Sequence, residues 1–134
     1  MNSATPRGKP LRVLLIEDNR DFAEVFSMML EERGCETNWE ESAATGLRRA
    51  GLHTYDVIFC DIGLPGSMNG LEFAQSVRNE PHLSEAFLIS ISGYTDVRHR
   101  EEAVNAGFDY VLAKPVDFDD LDEILRKALR RFRP

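Results

Sequence analysis

Apolar positions along this chain follow two rhythms: short unbroken apolar runs, and longer stretches with apolar residues three or four apart. The first kind reads as strands buried on both faces, the second as amphipathic helices. Runs fall at Leu11 to Ile16, Cys35 to Trp39, Val57 to Cys60, Phe87 to Ile91 and Tyr110 to Ala113. The first helical stretch places Phe22, Val25, Phe26, Met29 and Leu30 at offsets 0, 3, 4, 7 and 8, with Asn19 as N-cap and Gly34 as stop. A second helix spans Ala43 to Ala50, capped by Ser42 and ended by Gly51. A loop rich in breakers (Gly63, Pro65, Gly66, Gly70) leads to a third, around Leu71 to Arg78, with Pro81 closing that region. The fourth, Asp96 to Ala106 before Gly107, has an apolar face of only Val97, Ala103 and Val104, which predicts marginal packing. The fifth carries Leu121, Ile124, Leu125, Ala128 and Leu129, with Asp117 as N-cap and Asp119 and Asp120 in its first turn.

Strict alternation of strand and helix with short connections predicts an α/β fold: a doubly wound five-stranded parallel sheet with helices on both faces, joined by right-handed crossovers. Ligands of such sheets bind outside the carboxyl ends of the strands. Glu17 and Asp18, Asp61, Ser92 and Lys114 all fall there, each directly after an apolar run. Three carboxylates gathered in one place repel one another unless a cation sits among them, so the pattern predicts a divalent metal site with a lysine beside it. No GxGxxG follows the first strand and no GxxxxGK[ST] occurs, so dinucleotide and P-loop nucleotide binding have no support.

Composition narrows the picture further. At 134 residues, one domain buries about 68% of its unfolded surface, enough for a single core. A formal charge of -7 and a pI near 5.0 argue against a nucleic-acid surface. The closing basic run (Arg126, Lys127, Arg130, Arg131, Arg133) reads as a solvated helix end that complements the C-terminal dipole. Cys35 and Cys60 are too few for a disulfide framework and fit a reducing cytoplasm. The first ten residues lack the apolar segment of a signal peptide or membrane anchor. Residues 1–10 are therefore expected to be a flexible tail ahead of a domain at 11–131. His53, His82 and His99 show no ligand spacing, and Trp39 is expected to pack at the end of the second strand.

Taken singly, each charged residue has an ordinary explanation as a helix start, a turn or a surface position. Together, Ile16-Glu17-Asp18-Asn19, Asp61-Ile62-Gly63-Leu64-Pro65, Ser90-Ile91-Ser92-Gly93-Tyr94 and Ala113-Lys114-Pro115 resemble the receiver domains of two-component response regulators, over about Leu11 to Leu129. The resemblance implies a (βα)5 flavodoxin-like, CheY-like fold with strand order 2-1-3-4-5. It implies Asp61 as phosphoacceptor, and Mg²⁺ (or Mn²⁺) held by Glu17, Asp18, Asp61 and the Gly63 carbonyl. It further implies Ser92 as switch hydroxyl, Lys114 as phosphate-contacting lysine and a cis bond before Pro115. The expected donor is a phosphohistidine on a histidine kinase or histidine phosphotransfer protein, and no catalytic turnover is expected. With the chain ending soon after the fifth helix, the expected output is a contact with a downstream protein target, without nucleic acid or membrane. Ala106-Gly107-Phe108-Asp109 and Lys114-Pro115-Val116-Asp117 are also similar to receivers attached to hybrid histidine kinases, so a piece of a longer protein stays an alternative.

Three departures from the family pattern stand out. The loop before Gly70 is one residue longer than usual, the acidic pair begins with Glu, and Val111 occupies the place of the usual switching aromatic, with Tyr110 and Tyr94 as nearby substitutes. Two rivals follow. A phosphorylation-independent docking module on the same fold is one. An Asp-nucleophile phosphatase of the haloacid dehalogenase type is the other, but it needs a second Asp where Gly63 stands.

Overall fold

Within each buried apolar run, successive side chains point to opposite faces of the sheet, so one run feeds two cores. In the computed structural model, which describes residues 9–134 except 65, 67 and 95, Val13 and Leu15 enter one core and Leu14 and Ile16 the other. The strands are β1 (Arg12–Ile16), β2 (Glu36–Glu40), β3 (Val57–Asp61), β4 (Phe87–Ser92) and β5 (Tyr110–Ala113). All pair in parallel, in the order β2-β1-β3-β4-β5. The helices are α1 (Arg20–Glu32), α2 (Ala43–Leu52), α3 (Gly70–Asn79), α4 (Val97–Ala106) and α5 (Phe118–Phe132), with a 3₁₀ turn at Pro81–Leu83.

The core on the α1 and α5 side gathers Phe26, Leu30, Phe59, Ile89, Leu121 and Leu125. The opposite core sets Phe73, Ala74 and Val77 of α3 and Ala103 and Ala106 of α4 against Ile16, Ile58 and Leu88. A fully buried Phe or Leu contributes roughly 1.5–3 kcal/mol. Neither α2 nor α4 fully buries such a side chain, but α2 adds the half-buried Leu47 to Ala43, Gly46 and Ala50, whereas α4 buries only Ala103 and Ala106 while Val97 and Val104 stand exposed, and it is the least anchored helix.

Several boundaries differ from the sequence reading. α2 runs through Gly51 to Leu52, because Gly51 keeps helical backbone and the chain turns only at His53. β3 and β4 each extend by one residue to include Asp61 and Ser92, and β2 runs from Glu36 to Glu40. Val25 and Leu129 have helical spacing but face solvent, since neither packed face reaches that far around α1 or α5. The basic end of α5 is not simply solvated: Arg133 donates to Asp56 and to the Lys9 and Pro10 carbonyls, and Arg131 pairs with Glu85 and lies over Phe87. Of the expected tail at 1–10, residues 1–8 lie outside the described residues.

Candidate functional site

β1, β3, β4 and β5 end together because the register makes them: Ile16 sits opposite Cys60, Asp61 opposite Ile91, and Ser92 opposite Ala113. The next side chains along β1, β3 and β5 are the expected charged ones. Glu17, Asp18 and Asp61 each offer a carboxylate oxygen within 4.8 Å of the others. Glu17 is 0% exposed and Asp18 is exposed. Lys114 places its Nζ 2.8 Å from Glu17 Oε1 and 3.0 Å from Asp61 Oδ2. Gly63 donates its backbone N–H to Asp61 Oδ1 at 2.8 Å, and Lys114 is followed by a cis peptide bond to Pro115.

Ser92 is buried at the end of β4. Its hydroxyl accepts the Tyr94 N–H at 2.9 Å, and its carbonyl accepts the Lys114 N–H at 2.9 Å. All five residues expected to carry the site are thus brought to one end of the sheet. His53, His82 and His99 lie elsewhere: His82 bonds the Ala50 carbonyl, and His99 bonds Asp96 and stacks on Tyr94.

Burial raises the pKa of Glu17, and the charge of Asp61 adds to the rise, while hydrogen bonds from Lys114 and Asn19 pull it down without cancelling it. Burial opposes the charge of Lys114, yet its bonds to Glu17 and Asp61 outweigh that, and its pKa is raised. Glu17 Oε1 is fully buried, and the Lys114 ammonium 2.8 Å away compensates it as a close ion pair. A buried oxygen so placed, with two more carboxylates beside it, is a hard-oxygen donor set that fits a divalent cation such as Mg²⁺.

Residues 13–126 match the response regulator receiver domain model. The chain belongs to that family. It is 29% identical over 120 residues to the response regulator ArlR of Staphylococcus saprophyticus and equally to that of Staphylococcus aureus, covering 90% of this chain and 53% of each relative. The receiver therefore spans about half the length of these curated relatives. Among solved structures it is similar to the receiver domain of a sensor histidine kinase from Pseudomonas aeruginosa, with a TM-score of 0.82 at 26% identity, covering 90% of this chain and 98% of the other. A putative response regulator from Chloroflexus aurantiacus shares the fold with a TM-score of 0.85 at 24% identity, covering 91% and 99%.

Some supporting residues escaped the sequence reading. Asn19 caps α1 through its side chain as expected, but its N–H also holds Glu17 Oε2 at 3.0 Å. Trp39 donates its indole N–H to the Glu17 carbonyl at 2.7 Å, a bond signalled by a Trp on an edge strand, whose polar tip needs a partner. Tyr110 is no substitute for the missing aromatic. It packs edge-on to Phe87 under Lys127, against the core opposite the one that Val111 joins. Tyr94 is 68% exposed.

Proposed function

We propose that this receiver takes a phosphoryl group from a phosphohistidine, on a histidine kinase or histidine phosphotransfer protein, onto Asp61, and passes the signal on by contact with a downstream protein in the cytoplasm. The P–N bond of the donor breaks as a P–O bond to Asp61 forms, and the departing imidazole takes a proton from solvent. The observation that carries this reading is the convergence of Glu17, Asp18 and Asp61 with the Lys114 ammonium at the strand ends. Charge neutralisation and positioning are what phosphoryl transfer chiefly requires.

Mg²⁺, or Mn²⁺, would be held by Glu17, Asp18, Asp61 and the Gly63 carbonyl, and when bound it would offset the negative charge of the carboxylates and the incoming phosphoryl oxygens. The receiver of the Pseudomonas aeruginosa kinase holds a magnesium ion coordinated in its active-site cleft, which supports the assignment. Gly63 orients Asp61 through its N–H, Lys114 offers a point charge to the phosphoryl oxygens, and Ser92, whose oxygen accepts the Tyr94 N–H, donates its O–H to the phosphoryl group. Asp61 is consumed by the transfer, so the chain acts as an acceptor, not as a turnover enzyme. Among the described residues no helix is long and apolar enough to cross a membrane.

Intact mass after incubation with acetyl phosphate and Mg²⁺ tests the reading. One added phosphoryl group is expected, lost in Asp61→Asn and with EDTA. No addition to the unaltered chain would sink it in favour of phosphorylation-independent docking.

A further inference from the structure

An ammonium group has three protons to place. Those of Lys114 face Glu17 Oε1, Asp61 Oδ2 and a third neighbour that is not a hydrogen-bond acceptor, the ring of Phe22, whose centroid is 4.4 Å from Nζ. A cation over an aromatic face at this range is held by the ring quadrupole. The ring is itself fixed. It stacks on Phe26 at 5.5 Å and 16°, Phe26 is fully buried edge-on to Phe59, and the Phe22 backbone N–H is capped by Asn19. Asn19 in turn binds Glu17, so Glu17, Asn19, Phe22 and Lys114 form a closed ring of contacts.

The carboxylate partners are the ones that change during transfer. When Asp61 becomes an acyl phosphate, its oxygens lose the carboxylate charge that attracts Lys114. The aromatic face loses nothing. We propose, on the basis of the receiver reading above, that Phe22 is a positioning residue for phosphoryl transfer: its ring face keeps the Lys114 ammonium at the phosphoryl oxygens while the bond to Asp61 is exchanged. Lysine is a flexible point charge that loses much rotamer freedom when fixed, so a fixed third partner lowers the cost of holding it.

The experiment compares Phe22, Phe22→Tyr, Phe22→Leu and a trifluorinated phenylalanine at position 22. The fluorinated ring keeps its bulk while its quadrupole is weakened. With acetyl phosphate as donor, a phosphorus–oxygen bond breaks as another forms to Asp61 and acetate leaves, with no net proton transfer and no docking protein involved. Phe22→Tyr is expected to phosphorylate within about twofold of the unaltered chain, and the Leu and fluorinated variants about three- to tenfold more slowly. In a metal-free NMR spectrum the Lys114 methylene protons beside Nζ are expected upfield in the Phe and Tyr forms and moved downfield in Phe22→Leu. Near-ultraviolet circular dichroism confirms that each variant is folded, and the fluorinated ring keeps the test open should Phe22→Leu unfold. Equal rates in all four folded forms, or a Lys114 signal indifferent to Phe22→Leu, overturn the positioning role alone. An unaltered chain that takes no phosphoryl group overturns it together with the receiver reading.

Discussion

Gly70→Ala isolates how closely α3 must approach the strand that carries Asp61. A methyl group built at Gly70 meets the Asp61 carbonyl oxygen at 2.7 Å and the Ile62 Cα at 2.7 Å. Contact between carbon atoms is optimal near 3.5–4.0 Å, so the overlap is about 0.8 Å, and both obstacles are backbone, which no rotamer change relieves. Overpacking of this kind costs about 1–3 kcal/mol, and two backbone clashes at a buried position place Gly70→Ala at about 2 kcal/mol or more. Relief requires the start of α3 to swing away from β3, stretching the Gly70 N–H bond to the Ile62 carbonyl and shifting the segment whose Gly63 N–H holds Asp61 Oδ1.

Gly51→Ala is the contrasting substitution. Nothing lies within 4 Å of the added methyl and the backbone is helical, so propensity alone acts and the change stabilises by about 0.5 kcal/mol. Urea unfolding in EDTA, with the slope unchanged between variants, measures both, and acetyl phosphate labelling should be about tenfold slower in Gly70→Ala only. A Gly70→Ala chain within 0.5 kcal/mol of the unaltered one would refute the claim that α3 is set against the Asp61 backbone.

Arg78→Ala should cost about 3 kcal/mol in the same unfolding assay, because the guanidinium donates to the Gly107, Ser84 and Ala86 carbonyls and pairs with Asp109, and charged hydrogen bonds contribute about 1.5–3 kcal/mol each before discounting for solvent. A loss under 1 kcal/mol would count against that network. Glu17→Gln should stabilise the metal-free chain at pH 7 and abolish its stabilisation by Mg²⁺. The sign follows from the raised pKa: the contribution of Glu17 is fully present below its unfolded value of 4.5 and is lost as pH rises through the folded value. The stability difference between variant and unaltered chain should therefore grow as pH increases from 4 to 7 in EDTA, and a difference independent of pH would refute it.

Much of this receiver is legible in the sequence because its signals are local. The five strands announce themselves as apolar runs, Asn19, Ser42 and Asp117 as caps, and the charged strand ends as a cluster once a parallel sheet is assumed. What escapes is tertiary. Gly51 looks like a stop, but its backbone φ is not positive, whereas Gly107 has φ 117 and ends α4. Leu129 and Val25 satisfy the helical period yet lie beyond the packed faces. The Asn69 and Glu72 capping box that starts α3 was hidden among loop glycines. Phe22 reads as one more core residue, since no sequence pattern reveals that its ring faces the ammonium of a lysine 92 positions away.

The two ends of the sheet are held differently, and the difference bears on how a signal leaves the site. At the amino ends of the strands, Arg133 and the Arg12 N–H converge on Asp56, while Arg78 and the Leu88 N–H converge on Asp109. These networks tie the start of the described chain, the close of α5, α3 and the Gly107 turn to one rigid edge. At the carboxyl ends, among the described residues, the hydroxyl of Ser92 is held by the bond from the Tyr94 N–H, and the helix that follows is anchored by two alanines. Moving that hydroxyl towards Asp61 breaks one hydrogen bond and drags the least anchored helix, whereas a comparable movement at the opposite edge breaks several charged bonds at once. Val111 packs against the core beneath α4 and Tyr110 is engaged on the other face, so neither of these two β5 side chains stands ready to trade places. On the proposed phosphorylation of Asp61, the change would therefore be cheapest as a movement of the Ser92 hydroxyl with the first turn of α4, the rest of the sheet acting as the frame against which it moves.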